Sequence, residues 1–231
     1  PSKIAEKDII GGFEVSTKKY SGLELIDKVF PKYGIVCDMI LAPGWSHKST
    51  VAAAMRAKAE TINGVFHGAK ALIDIDTTEV THYEDAPAWK SAQNINDKAE
   101  ILCWPLFGLG DYVFHASVHT AARMTATDSD NGGCPAESPS NKSLQIDRAC
   151  LADGTTVLLD LNQANYLNSN GIVTALNFIG GYVLWGNETA CFPADTDVKN
   201  YFIPVSRMFG WVANSLVLSY WSKLDKKMTR R

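Results

Sequence analysis

The chain has 231 residues, 46% hydrophobic and 20% charged, with 22 Lys and Arg against 25 Asp and Glu for a formal charge of −3. That apolar fraction excludes a disordered chain, and a mildly negative chain lacks the basic excess that marks nucleic-acid binding. No window reaches the roughly 18 apolar residues of a membrane span, and Pro1 opens no charged and then apolar leader.

In chain order, Ser21 is placed to cap a helix over 22–30, with Leu23, Ile26 and Phe30 on one face and Pro31 near its end. The apolar, partly β-branched run 36–42 reads as a buried strand, broken by Pro43-Gly44. The alanine-rich stretch 47–63 is a helix by propensity, and Gly64 stands where a C-terminal cap glycine belongs. Residues 69–75 form a second strand, 84–94 a weaker helix, and 100–104 a third strand stopped by Pro105. Strands alternating with helices predict a parallel or mixed sheet. Residues 112–127 read as a helix, and 128–142, with Gly132-Gly133, Pro135 and Pro139, as a long loop where the chain can subdivide. Strands over 145–150 and 156–160 turn at Asp153-Gly154, and Asp160 caps a short helix to residue 169. Strands over 172–178 and 182–185 flank Gly180-Gly181 as a hairpin, and a final helix spans 198–224, kinked or truly begun at Pro204. The predicted fold class is α/β: a mixed sheet flanked by helices, a β-rich hairpin-containing portion and a long C-terminal helix.

Five cysteines (Cys37, Cys103, Cys134, Cys150, Cys191) are odd in number and contain no C-x-x-C pair. They read as reduced, packed thiols, which suits assembly in a cytoplasm. The net charge divides unevenly, since residues 223–231 carry five positive charges and one negative, leaving the rest at −7. Cations suit a helix C-terminus, and a basic end also suits an acidic partner.

Few residues point to catalysis. Asp74 and Asp76 flank Ile75 at a strand's C-terminal end, where α/β enzymes hold ligands and metals. His115 and His119 lie four apart on the predicted helix, a spacing that can bind a metal, but Ala116, Ser117 and Val118 between them supply no acid. A metal-dependent site around Asp74 and Asp76, helped by these histidines, is the alternative reading. Lys48-Ser49 ends a stretch that fails as a phosphate loop, because Ala42 and His47 stand where glycines are needed. Ser46 reads as a helix N-cap, since G-x-S-x-G is absent. No catalytic, cofactor-binding or metal-ligating residue is assigned, and no cofactor. Trp211, Ser215, Leu218 and Trp221 recur at helical spacing, a stripe that serves a core or an interface.

Six stretches carry a resemblance when taken in order: 41–45 (LAPGW), 102–105 (LCWP), 137–142 (ESPSNK), 164–172 (ANYLNSNGI), 185–190 (WGNETA) and 197–211 with Arg207-Met208-Phe209. Together they resemble the tail sheath proteins of contractile-tailed bacteriophages and related tailocins, from about residue 9 to residue 231. The resemblance implies a structural subunit, not an enzyme. It implies six-fold rings of neighbouring sheath subunits stacked around a tail tube, with baseplate and tail terminator proteins as further partners and no nucleic-acid or direct lipid binding. It places the subunit in the virion tail or tailocin particle, after assembly in the host cytoplasm, and gives it the work of driving the tube through a cell envelope. Family members link subunits by terminal arms that add strands to neighbouring sheets. The chain reads as the central part of the core domain without those arms, and is then expected to be monomeric or weakly associated. The basic segment is expected against an acidic neighbour or the tube. Glu188 stands where the family usually has a basic residue.

Overall fold

The computed structural model describes residues 4–226; residues 227–231 of the basic segment lie outside them. The elements in chain order are α1 (Glu6–Ile10), β1 (Gly12–Glu14), β2 (Lys19–Ser21), α2 (Val29–Tyr33), β3 (Met39–Leu41), α3 (Ser49–Glu60), β4 (Lys70–Asp74), α4 (Ala86–Ala92), β5 (Glu100–Cys103), β6 (Leu106–Leu109), β7 (Tyr112–Phe114), α5 (Ala116–Asp130), β8 (Arg148–Cys150), β9 (Thr156–Val157), α6 (Leu161–Asn168), β10 (Ile172–Asn177), β11 (Tyr182–Trp185), α7 (Val198–Tyr201) and α8 (Ile203–Tyr220).

The main sheet runs β3–β4–β5–β10–β11. Its first four strands are parallel, and β11 returns antiparallel to β10 through the Gly180-Gly181 hairpin. Both faces are covered, so the strands read as apolar runs rather than alternations. On one face Ile40, Ala71, Ile73 and Leu102 pack with Val51 and Met55 of α3, Trp89 of α4 and Leu167 of α6. On the other, Leu72, Ile101, Cys103 and Val173 pack with Ala116, Ala121 and Met124 of α5. An antiparallel sheet, β7–β6–β8–β9, is inserted between β5 and β10, and β1–β2 form a separate hairpin. The expected mixed sheet, β-rich portion and long final helix are all present.

The differences from expectation have local causes. The stretch 22–30 is a 3-10 helix over Gly22–Lys28 running into α2, so Pro31 lies inside a helix, and Ser21 makes no side-chain cap. Leu23, Ile26 and Phe30 nevertheless face the core as their spacing requires. Gly64 does not cap α3. Asn63 (φ 55°) and Gly64 (φ 70°) form a tight left-handed turn, across which Ile62 and Phe66 exchange backbone hydrogen bonds. The predicted helix over 112–127 begins at Ala116, because Tyr112–Phe114 pairs instead with β6. That helix continues to Asp130, which shortens the expected loop. Asp160 caps α6 as read, accepting from the Gln163 amide at 2.9 Å. Pro204 sits in the first turn of α8 and marks its start, leaving α7 as a separate turn.

Helix α8 is fixed to the sheet by polar contacts. Arg207, 1% exposed, donates to Asp128 at the end of α5 (3.1 and 2.5 Å) and to Asp38 just before β3. Asn214 pairs with the His67 backbone, accepting from its N–H at 3.0 Å and donating to its carbonyl at 2.8 Å. Between these anchors Gly68 (φ 85°) meets Gly210, where an added Cβ on Gly210 would lie 2.8 Å from the Gly68 Cα. Alanine normally improves a helix interior by about 1 kcal/mol over glycine. Here the sign should reverse, with Gly210→Ala losing about 1–3 kcal/mol through backbone overlap. Chemical denaturation checks this, and a stabilised variant would show that α8 is not seated against Gly68.

Candidate functional site

The polar residues singled out in the sequence come together only in part. Asp74 ends β4 with its side chain 3% exposed. Its Oδ1 accepts from the Ser117 amide at 2.8 Å, and its Oδ2 accepts from the Ser117 hydroxyl at 2.6 Å and the Ser46 hydroxyl at 3.1 Å. The Asp74 amide in turn donates to Ser46 Oγ at 3.0 Å. One carboxylate therefore ties the end of β4 to the β3–α3 loop and to the first turn of α5, where the helix dipole favours it. Ser46 is thus a buried link rather than an N-cap; Lys48 occupies the cap position of α3.

His115 is the residue before α5, not part of it, because the chain leaves β7 there. It therefore does not share a helical face with His119. Its Nδ1 lies 3.7 Å from Asp74 Oδ2 and makes no hydrogen bond. His119 packs edge-on against Phe114 and Phe107, with ring centroids 5.2 and 6.0 Å away, and burial lowers its pKa. Asp76 serves its own turn, accepting from the Thr78 amide at 2.9 Å and hydroxyl at 2.6 Å. Burial raises its pKa, but these bonds and nearby His47 outweigh that and hold it below the usual carboxylate value. His47 Nε2 stands 3.7 Å from Asp76, and burial keeps this imidazole less basic than usual despite that neighbour.

Among the described residues no three His, Cys, Asp or Glu side chains gather as a metal ion would require. The Asp74 oxygens are spent on serines and an amide. The arrangement joins three elements. Burial pushes the thiols of Cys103, Cys150 and Cys191 up, away from reactive thiolates. Glu188 bridges to Phe202 through its backbone and accepts from the Asn187 amide at 3.0 Å; burial raises its pKa, and among the described residues it forms no ion pair.

A second polar group sits where β4 and β5 begin. Lys70 donates to the Lys98 carbonyl at 2.8 Å and to Ser206 of α8 at 2.6 Å. Lys90 donates to the carbonyls of Asn170 and Phe192 at 2.6 and 2.7 Å. Burial lowers both amines to about 8. Glu100 accepts from the amides of Asn96 and Asp97 at 3.0 and 2.9 Å, and burial raises it to about 7. Lys70 thus ties β4 to α8, Lys90 ties α4 to the start of β10 and to the segment after β11, and Glu100 closes the turn before its own strand. Nothing in the sequence marked them, since Lys70 and Glu100 are single charged residues at the head of apolar strands and Lys90 is one lysine within α4.

The outer surface of α8 is the third feature. No Asp, Glu, Lys or Arg occurs from Met208 to Ser222. Yet Phe209, Trp211, Val212, Leu216, Leu218, Tyr220 and Trp221 are 42–63% exposed. A helix apolar on every side is ordinarily buried. The tryptophan stripe read as core or interface therefore lies on an open surface. Beside it, a groove of about 930 Å³ runs along β3, walled by α5 and α8. The outer edge of β3 is an end of the main sheet and pairs with no strand among the described residues.

No family profile matches the chain. It is 27% identical over 213 residues to a tail sheath protein of Burkholderia phage BcepMu, an alignment that covers 87% of this chain and 43% of that protein. The chain thus spans less than half the length of that relative. Its fold is similar to the sheath complex of an extracellular contractile injection system, PVC, in the contracted state, with a TM-score of 0.67, 18% identity, and 91% of this chain matched to 55% of the other. The anti-feeding prophage helical sheath in its contracted state matches with a TM-score of 0.62 and 17% identity, over 89% of this chain and 53% of that one. A chain in the anti-feeding prophage baseplate matches with a TM-score of 0.64 and 17% identity, covering 87% of this chain and 50% of the other.

Two predictions separate holding from catalysis. Asp74→Asn leaves one oxygen for the Ser117 amide but turns an NH2 donor toward the two buried hydroxyls that now donate to Oδ2, and should cost about 2–3 kcal/mol of stability. Thermal melts with and without added divalent ions check this; a metal-dependent shift in the native protein that Asp74→Asn abolishes would restore the metal reading. For Glu100, the folded pKa of about 7 lies above the ordinary 4.5. The folded state then keeps a proton that the unfolded state releases, so stability should fall as pH rises from about 4.5 to 7, by roughly 3 kcal/mol. Glu100→Gln keeps the acceptor and should flatten that slope in denaturation curves measured across the window.

Proposed function

We propose that the chain is the central part of the core domain of a contractile tail sheath subunit. The observation that carries this reading is a sequence likeness to a tail sheath protein over most of the chain, coinciding with a fold shared with sheath chains of two injection systems. The six ordered motifs run along the same stretch. The internal construction agrees with such a role. Both faces of the main sheet are packed, and the elements are cross-tied at Asp74, Arg207 and Lys70. A body of that kind moves as a unit while its contacts with neighbours change, which is how rigid-body transitions work.

On this reading the partners are neighbouring sheath subunits in rings around a tail tube, together with baseplate and terminator proteins. The site of action is the tail, after assembly in the host cytoplasm, and the role is structural. The metal-dependent enzyme is the lesser reading, because the Asp74 oxygens are taken by Ser46 and Ser117, Asp76 accepts within its own turn and His119 packs on Phe114, leaving only His115 beside Asp74.

Electron microscopy of the gene product carrying this sequence, expressed alone, tests the reading. Long tubes with the diameter of contracted sheaths are expected. Dispersed particles with no tubes at high concentration would sink it.

A further inference from the structure

Lys70 is buried without a bonded counter-ion. The residue is 2% exposed, where an unpaired lysine is seldom found. Its amine meets two neutral acceptors, the Lys98 carbonyl at 2.8 Å and Ser206 Oγ at 2.6 Å, and among the described residues no carboxylate bonds to it. An ammonium has three donors, and these contacts use two. A neutral amine donates the same two and keeps a lone pair in the third direction. Lys70, Lys98 and Ser206 all line one cavity of about 530 Å³, closed by α7 and α8 and by the segments before β4 and β5. The charges around the amine nearly balance. Lys98, Lys199 and Arg207 stand against Glu60, Asp97 and Asp38, and Asp38 is itself bonded to Arg207. His67, also in the wall, holds its Nδ1 against the Glu60 carbonyl at 2.9 Å. Desolvation therefore decides, and it lowers the amine to about 8. Near pH 7 about a tenth of the molecules then hold a neutral amine, against roughly one in 2,500 for an ordinary surface lysine.

We propose that Lys70 is a carboxylation site, whose amine takes up carbon dioxide to form a lysine carbamate inside this cavity. The lone pair attacks the carbon of CO2 and one C=O bonding pair moves onto oxygen. The nitrogen releases a proton to water, so amine and CO2 give a carbamate anion and H+. The two contacts of the amine suit this product as well. One N–H remains to donate to the Lys98 carbonyl. Ser206, whose Oγ accepts from the amine, has a hydroxyl proton of its own to donate to a carbamate oxygen. A buried anion needs such donors, and the ammonium groups of Lys98 and Lys199 stand in the same walls. CO2 is small and uncharged, so it reaches a buried amine without itself being desolvated as an ion. The tie between β4 and α8 persists with donor and acceptor exchanged, and its charge changes from positive to negative. Lys90 supplies the contrast. Burial lowers its amine equally, but it meets two carbonyls, of Asn170 and Phe192, which only accept and would repel a carboxylate. Reduced basicity alone therefore does not make the site; the serine and the cavity do.

Chemical trapping tests it. The chain is equilibrated with 13C-labelled bicarbonate near pH 8 and treated with triethyloxonium, which fixes a carbamate as its ethyl ester, and the peptides are mapped by mass spectrometry. The label should appear on Lys70 at no less than tenfold the occupancy of Lys90 or of exposed Lys18. Ser206→Ala keeps the amine but removes the hydroxyl donor, and should lower occupancy at Lys70 at least threefold, with folding verified by circular dichroism. Lys70→Gln should abolish the carbamate signal in 13C spectra of the labelled protein. No label on Lys70, equal labelling of Lys70 and Lys18, equal labelling of Lys70 and Lys90, or unchanged occupancy in Ser206→Ala would each overturn the site. None of these readouts depends on tube formation, so the site stands or falls apart from the sheath reading.

Discussion

The placement of α8 hangs on one buried cation. Arg207 is taken almost wholly out of water, at a cost of several kcal/mol before any partner is counted. Its partners come from two distant parts of the chain, Asp38 at the entrance to β3 and Asp128 at the end of α5. Burial lowers the pKa of the guanidinium, and the two carboxylates more than reverse that. The charge can be buried only where both carboxylates are already in position. Helix α8 therefore docks on a finished sheet edge and helix, and not on a loose one. The gain is specificity of position more than net stability, which isolated buried ion pairs seldom supply.

The other contacts of α8 divide along its length. Ser206, Arg207, Gly210 and Asn214 face inward and meet Lys70, Asp128, Gly68 and His67. Past Asn214 the polar anchors end, and the apolar residues that remain face outward in large part. The usual pattern of an amphipathic surface helix is inverted here. Polar groups fix the helix to its own domain, and apolar groups face whatever lies outside. The same division holds at the top of the sheet, where Asp74 uses its oxygens on internal donors and leaves nothing for a ligand.

The parts of this fold legible in the sequence are those decided locally. The parallel strands announced themselves as short apolar runs, α3 as an alanine-rich stretch, and α6 by the Asp160 cap. Where two local signals competed, tertiary pairing decided. Tyr112–Phe114 precedes a helix without a break in pattern, and only β6 makes it a strand. Asn63-Gly64 looked like the end of a helix, and the approach of Phe66 to Ile62 makes it a turn. The polar ties were harder to read because each joins residues far apart in the chain. Asp74 drew notice as one of a carboxylate pair, but its partners Ser46 and Ser117 come from separate segments. Arg207 appeared only within a motif, and its two acids lie 79 and 169 residues away. Spacing rules see one face of one element, and these contacts are made between elements.

That division between inner and outer contacts bears on how such a subunit could take part in an assembly that changes shape. Charge-assisted hydrogen bonds gain strength in a poorly screened interior, and salt hardly reaches them. The ties at Arg207, Asp74 and Lys70 are of this kind. The groove and the tip of α8 present shallow apolar surface and exposed charges, whose interactions are individually small and screened. In the proposed sheath role, a load passed between copies would meet the weaker contacts first. In that role the surface would rearrange while β3, α5 and α8 keep their relation, because separating them would leave Arg207 and two carboxylates unpaired at once. The buried cation that restricts how α8 can dock thus also sets the order in which contacts yield.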